Sequence, residues 1–430
     1  MKKIVFLIIF TIMLIPTVVS AEAIDKDWIN ETSLKLDQIS VSNVVKYTRG
    51  QNNIPNGVGQ GFAVTPTHFV FAQVIDNNSN TYIYFVNRKT LEIDKIINDH
   101  CFGHANDFTY NSKTKQLVLP YTLNSKKYVA YFDATNLTYI ESKEVNLSGY
   151  AIAYDVTEDK YYMGSSVTLL HTDRINLDFS NAEKVFDNND YGSKYLVKQG
   201  MAINDNRLYF ALWEGGVENI YQTQKYSSAR KNDNIITIYN KNGEYQKALY
   251  IKKLTGTHTP EIESIDFDEN GEMYLFYNGS DIAIYKMNYE TGTVSLELTI
   301  DKKDIKDNKY KFKLMDGDNL VEEKSNVGNK VTFSDINNLG PGTKNYKIID
   351  EDDNKEYNVK VKVTADTYNK KLIYNISYDN KDELVIDKNE KEEIKVPNTF
   401  ITNSTYFIIL GLILVSLGSV IYLKAKNTNN

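Results

Sequence analysis

Gln60-Gly61-Phe62-Ala63-Val64 opens a pattern that returns four times, as His104-Ala105-Asn106-Asp107-Phe108, Gly149-Tyr150-Ala151-Ile152-Ala153, Gln199-Gly200-Met201-Ala202-Ile203 and Glu261-Ile262-Glu263-Ser264-Ile265. Each copy begins with small or polar residues and becomes a short apolar strand. A turn follows, such as Thr65-Pro66-Thr67-His68, Asn111-Ser112-Lys113-Thr114-Lys115 or Asp268-Glu269-Asn270-Gly271-Glu272. Second strands are predicted over 69–72, 116–119, 161–164, 208–211 and 273–276. Third strands are predicted over 82–85, 128–131, 167–170, 235–238 and 282–285. The first residues of the five copies, 60, 104, 149, 199 and 261, lie 44, 45, 50 and 62 positions apart.

A repeat of ~40–50 residues with several strands per copy is the signature of a β-propeller, so five copies predict five blades over 43–300, after a linker at 24–42. The fourth copy is the longest. Its insertion, 213–232, ends in Tyr226-Ser227-Ser228-Ala229-Arg230, and long propeller loops project from one face and often carry binding. Two runs are candidates to close the ring, Asn43-Val44-Val45-Lys46-Tyr47 and Val294-Ser295-Leu296-Glu297-Leu298, because pairing first and last strands removes free edges. Gln60-Gly61, Gly103-His104-Ala105-Asn106-Asp107, Gln199-Gly200 and 261–265 make the repeat resemble bacterial extracellular five-bladed propellers, the group with helveticin-like and teichoic-acid-associated surface proteins. The resemblance covers about 240 residues and implies a fold; propellers host binding, hydrolysis and scaffolding alike.

Strand openings in a propeller meet at one mouth of the central channel. Gln60, His104, Asn106, Asp107, Tyr150, Gln199, Glu261 and Glu263 are therefore the ligand-binding candidates. Amides, carboxylates and an aromatic face supply what a sugar surface needs. The same residue types permit three other readings. Asp107 with Glu263 is a candidate acid/base pair, His104 with Asp107 and Glu263 is a candidate divalent-ion set, and a hydrogen-bonded network holding the blades in register is the structural reading. No nucleophile elbow, P-loop, HExxH or dinucleotide fingerprint is present. No catalytic residue, metal or cofactor is assigned.

From 301 to 386 the lysines and acids rise, and strands with period two appear at 310–314, 330–333, 346–349, 357–363 and 371–376. They predict a small β-sandwich. The Phe312 strand, Val331-Thr332-Phe333, the Tyr346-Lys347-Ile348 strand ending in Asp350-Glu351, and 359–363 resemble the pilin-type isopeptide domains of Gram-positive surface proteins. The resemblance implies an internal amide bond. Its candidates are Lys302, Lys303 or Lys306 for the amine, Asp350 or Glu351 for the assisting acid, and Asp387 or Asn389 for the partner.

The two ends read as export and anchoring. Lys2 and Lys3, an apolar run over 4–15 and small residues at Ser20, Ala21 and Ala23 make 1–23 a secretory signal peptide. After a charged linker at 387–405, residues 406–423 form an uncharged span predicted to be a transmembrane helix, just long enough for a ~30 Å hydrocarbon core at ~1.5 Å per residue. Lys424 and Lys426 in the tail, 424–430, favour a cytoplasmic C-terminus. Val396-Pro397-Asn398-Thr399 before the span resembles the LPxTG-type sorting signal of Gram-positive surface proteins, which implies cleavage after Thr399 by a sortase and attachment to cell wall. Phe400 stands where that pattern has Gly, so a plain single-pass anchor is the alternative.

The formal net charge is −7, or −9 once Lys2 and Lys3 leave with the signal, which argues against nucleic acid as partner. Cys101 is the only cysteine, so no internal disulfide forms. Thirty-two Tyr and seven Pro fit abundant β-structure. The expectation is an all-β chain: a five-bladed propeller, a pilin-like sandwich stalk and a C-terminal transmembrane helix, on the outer face of the cell membrane or wall. Its expected role is to bind an external glycan or surface ligand, with a glycan hydrolase or lyase, or a purely structural envelope component, as alternatives.

Overall fold

The computed structural model describes residues 37–378, except residue 52 and segments 76–79, 147–148, 165–170, 188–196, 214–233 and 252–260. The signal peptide, the sorting-type motif, Asp387, Asn389 and the anchor span fall outside the described residues, as does the insertion beyond Trp213. Every regular element among the described residues is a strand.

The chain opens with β1 (Asp37–Ile39) and β2 (Val41–Thr48). Four sheets, each built on four consecutive antiparallel strands, follow, and β1 extends the fourth. The first holds β3 (Val58–Val64), β4 (His68–Ile75), β5 (Asn80–Asn87) and β6 (Ile93–Ile97). The second holds β7 (Thr109–Asn111), β8 (Gln116–Leu123), β9 (Lys126–Asp133) and β10 (Thr138–Glu144). In the third are β11 (Ala151–Asp155), β12 (Lys160–Gly164), β13 (His171–Ile175) and β14 (Glu183–Asp187). The fourth has β15 (Val197–Asn204), β16 (Arg207–Trp213), β17 (Asn234–Asn240) and β18 (Tyr245–Ile251). The fifth takes β19 (Glu261–Phe267), β20 (Met273–Asn278) and β21 (Asp281–Met287), with β2 as its outer strand. The first strands of the sheets neighbour one another in a closed cycle, β3–β7–β11–β15–β19 and back to β3, which makes a five-bladed propeller.

Of the two candidate closing runs, Asn43–Tyr47 takes the place: it lies in β2, antiparallel to β21, while β1 runs parallel beside β18. Residues 294–299 do not belong to the ring. They form β22 (Val294–Thr299), whose Val294, Leu296 and Leu298 are buried in the second domain. That domain continues with β23 (Lys311–Asp316), β24 (Asn319–Ser325), β25 (Lys330–Ile336), β26 (Gly342–Asp350), β27 (Lys355–Asp366) and β28 (Lys371–Tyr378). β22 pairs with β25, and a five-stranded sheet runs β24-β23-β26-β27-β28. Along β27, Val359, Val361 and Val363 are buried while Lys360 and Lys362 face water, the period-two pattern of a sheet with one wet face.

Inner blade strands are buried on both faces because each sheet lies between two others; β3 and β4 are apolar almost throughout. The recurring turns have one cause. Asn111 Oδ1 accepts from the backbone N–H of Lys113 and Thr114, Asp155 Oδ1 from Thr157 and Glu158, and Asp268 Oδ1 from Asn270 and Glu272. Each turn then reaches positive φ, at Lys115, Asp159 and Gly271.

These turns close the end of the propeller opposite the strand openings, and the sandwich docks there. The hairpin between β27 and β28 is the wedge. Ala365 N donates to Asn270 O at 2.8 Å, Thr367 Oγ1 donates to Gly271 O at 3.2 Å, and Tyr289 Oη lies 2.7 Å from Thr367 Oγ1. The Tyr368 ring receives the cations of Arg207 at 4.2 Å and Lys247 at 4.4 Å. A Cβ on Gly271 would stand 2.7 Å from Ala365 O, so the docking needs glycine there.

β15 and β19 approach closely at Gly200. A Cβ on Gly200 would lie 2.4 Å from Ser264 Oγ, 2.7 Å from its Cβ and 2.8 Å from its Cα. Gly200→Ala must push the two inner strands apart, and is expected to lower the unfolding free energy by ~1–3 kcal/mol in a urea titration. An unchanged midpoint would contradict the packing described.

Candidate functional site

Three of the inner strands are interrupted at one level. The register shifts between Gly59 and Phe62 in β3, between Lys198 and Met201 in β15, and between Ile262 and Ser264 in β19. These are β-bulges, which add an unpaired residue and re-aim side chains. Gln60, Gln199 and Glu263 occupy the equivalent places. The fifth copy is thus matched at Glu263-Ser264, two residues later than the sequence comparison that began it at Glu261-Ile262.

One residue deeper lies the axis of the ring. Asp107 is fully buried there. Its Oδ2 accepts from Ile152 N at 2.9 Å and Met201 N at 3.0 Å, and its Oδ1 accepts from Ser264 Oγ at 2.6 Å. One carboxyl group from the second blade therefore binds the third, fourth and fifth. The first blade joins through Gly61 N, which donates to Ala105 O at 2.8 Å, and a Cβ on Gly61 would meet Asp107 Cα at 2.7 Å. Burial pushes the Asp107 carboxyl well above the usual carboxylate range, against the pull of its three donors. Asp107 thereby belongs to a hydrogen-bonded network between blades. Its acceptors are committed and it has no solvent contact.

The remaining candidates lie at or just before the openings of the inner strands. Gln60 is buried, Asn106, Tyr150, Gln199 and Glu261 are half-buried, and Glu263 is 2% exposed. His104 keeps solvent contact, yet the protein around its ring lowers its pKa. Gln199 Nε2 donates to Glu261 Oε1. Asn278, opposite Glu261 on β20, donates to Glu263 and accepts through Oδ1 from Gly59 N at 3.0 Å and from Arg49 Nη2. Burial raises the Glu261 carboxyl to about 7. Burial also raises Glu263 well above its ordinary value, and the charge of Glu261 adds to the shift. Two carboxyl groups at one strand end cannot both ionise cheaply away from water. Glu261 is the carboxyl group whose charge acts on Glu263.

Arg49, Ser264 and Asn278 were not among the sequence candidates. Ser264 was quoted in the repeat, but its hydroxyl gave no signal distinct from ordinary strand polarity. Arg49 follows the closing strand and Asn278 ends a second strand, so neither occupies the repeat position that marked the others. Elsewhere, a shallow groove of about 450 Å³ between the first and fifth blades, on the sandwich side, is lined by Phe69, Tyr274 and Arg88. Arg88 is held by Asp268 at 2.6 Å and Glu269 at 2.9 Å, so its charge is already paired. Among the described residues no cluster of three or more His, Cys, Asp and Glu is arranged to hold a metal ion.

In the sandwich, Lys302 Nζ lies 2.5 Å from Asp350 Oδ2 and 3.0 Å from Asp353 Oδ2, with the Tyr310 ring 4.4 Å away. Asp350 is fully buried. Lys303 and Lys306 are exposed, and Glu351 pairs with Lys313. Only Lys302 and Asp350 of the amide-bond candidates are thus brought together. Desolvation works to lower the Lys302 pKa, but the bonds to Asp350 and Asp353 outweigh it and hold it above the ordinary value. A charged ammonium is the unreactive form of the amine.

The class defined by strand order is a five-bladed β-propeller carrying a β-sandwich. No protein-family model matches the chain, and no curated protein matches it. Among solved structures it is similar to glutaminyl cyclase from Myxococcus xanthus, at TM-score 0.40 and 8% identity over 59% of this chain and 98% of that one. A glucose dehydrogenase gives 0.36 and 11% over 58% and 100%, and a chain of a nidogen/laminin complex gives 0.33 and 10% over 72% and 98%. These likenesses are too distant to bear on activity; the fold rests on the strand order itself.

Two outcomes follow. Because the folded Glu261 carboxyl holds its proton to about 7 while an unfolded one releases it near 4.5, the folded state binds more protons between these values. Stability from this group is therefore full below pH 4.5 and declines as pH rises through about 7. Glu261→Gln should flatten that decline in unfolding titrations across the interval; an unchanged slope would contradict the shift. Second, tryptic digestion should release the Lys302 and Asp350 peptides separately, whereas a joined pair lighter by one water would show an amide bond instead of an ion pair.

Proposed function

We propose that this protein is displayed on the outer face of a bacterial membrane or cell wall and binds an extracellular glycan or surface ligand at the propeller mouth. The supporting observation is the division of labour between the two ends of the ring. Gln60, Asn106, Tyr150, Gln199 and Glu261 gather where the inner strands begin, while the sandwich occupies turns at the other end, around Asn270 and Gly271. Amide and carboxyl groups beside a half-buried tyrosine offer donors, acceptors and an apolar face to sugar hydroxyls. Export through the signal at 1–23, anchoring through 406–423 and attachment by a sortase after Thr399 belong to the same proposal.

A second reading is catalysis. The observation that favours it is the pair Glu261 and Glu263, two carboxyls whose burial leaves one protonated near neutrality, the division of roles a glycoside hydrolase or a proton-abstracting lyase uses. The discriminating experiment passes the full chain over a glycan array and assays the same glycans for new reducing ends. Retention without product, weakened about tenfold or more by Gln199→Ala, is the expected result. New reducing ends that vanish in Glu263→Gln would replace binding with catalysis, and neither retention nor product would leave a structural envelope role.

A further inference from the structure

Among the described residues, two carboxyl groups and one guanidinium stand at the mouth. Glu261 and Glu263 stand at the start of β19. The Arg49 charge acts to lower the Glu263 pKa, but its Nη2 bonds to the Asn278 amide and not to a carboxyl group. Asp281, at the start of β21, is answered by Lys46 at 2.7 Å. Gln199 supplies one donor to Glu261 and Asn278 one to Glu263. Glu263 Oε1, on a side chain only 2% exposed, has no hydrogen-bond partner among the described residues. An unanswered acceptor on a buried carboxyl is unfavourable, and such groups are normally satisfied by a partner, a water or a ligand.

Resting on the glycan-binding reading, we infer that the mouth recognises an amino sugar through its protonated primary amine, which Glu261 and Glu263 receive together. An ammonium group carries three donors and no acceptor. Two carboxyl oxygens and the amide oxygen of Gln60 or Gln199 meet that need, and the half-buried Tyr150 ring at the same mouth suits a cation. The charge of the amine also removes the repulsion between the two carboxyls, so the proton they share is given up on binding. A divalent ion fits less well. It takes six or more oxygen ligands, most of which water would have to supply here, and no cluster of three or more His, Cys, Asp and Glu is arranged to hold an ion among the described residues.

The test is isothermal titration of the full chain in detergent with a short glucosamine oligosaccharide and with its fully N-acetylated counterpart, at a pH where the sugar amine is charged. The free amine should bind at least about tenfold more tightly, in the range expected for a charge-assisted bond. Glu261→Gln and Glu263→Gln should each bring the two ligands to equal affinity. Because each change swaps a carboxyl group for an amide of the same size, the variants should unfold no earlier than the natural chain, which separates lost recognition from lost fold. Equal binding of both oligosaccharides by the natural chain would overturn the inference and leave the glycan-binding reading standing. Binding of neither would overturn both. Binding that appears only when calcium is added would overturn it in favour of a metal site.

Discussion

The ring depends on a single buried carboxyl group. Blades of a propeller share no ladder of backbone hydrogen bonds, so polar groups at their inner edges must find partners across a boundary or be left unpaired in the core. Asp107 answers this need for three blades at once, taking the N–H groups of Ile152 and Met201 and the hydroxyl of Ser264. Other boundaries have smaller versions of the same device. Val64 N donates to Asp266 Oδ2 at 2.7 Å, Tyr154 N to Thr109 Oγ1 at 2.8 Å, and Ile262 N to Asn234 Oδ1 at 2.9 Å.

From that constraint the mouth follows. Small residues are needed around Asp107, and Gly61, Gly200 and Ser264 provide the room. The bulges that bring those residues to the axis leave Gln60, Gln199 and Glu263 one step above it. The polar mouth is therefore built on the layer that closes the channel. Glu263 is held there by Asn278, which also binds Gly59 and Arg49, so the carboxyl pair is fixed by groups from the first and fifth blades and by the chain leaving the closing strand. The opposite end is taken by the hairpin at Thr367 and Tyr368, which locks the sandwich onto turns of the fourth and fifth blades.

Much of this architecture can be read in the repeat. The spacing of the Gln-Gly, Asn-Asp and Glu-Ser openings reports five copies because each blade needs one small or polar entry at the crowded axis, and the Asn or Asp at each turn reports its own backbone bonds. Depth could not be read. Asn106 and Asp107 are adjacent and equally polar, and only the ring geometry separates a residue at the mouth from one on the axis. The closing strand was ambiguous for a similar reason: 43–47 and 294–298 both alternate, and burial of Leu296 and Leu298 in the sandwich decides between them. Arg49 and Asn278 lie off the repeat position, so their contribution comes from tertiary placement alone.

The most direct measurement is amide hydrogen exchange on the natural chain and on Asp107→Ala, which removes the shared acceptor, followed at Ile152 and Met201. If Asp107 ties the blades, both amides exchange among the slowest in the natural protein, and both accelerate together in the variant although they lie on different blades. Exchange that is already fast in the natural chain, or a change at one amide without the other, would contradict the carboxyl's role as their common partner.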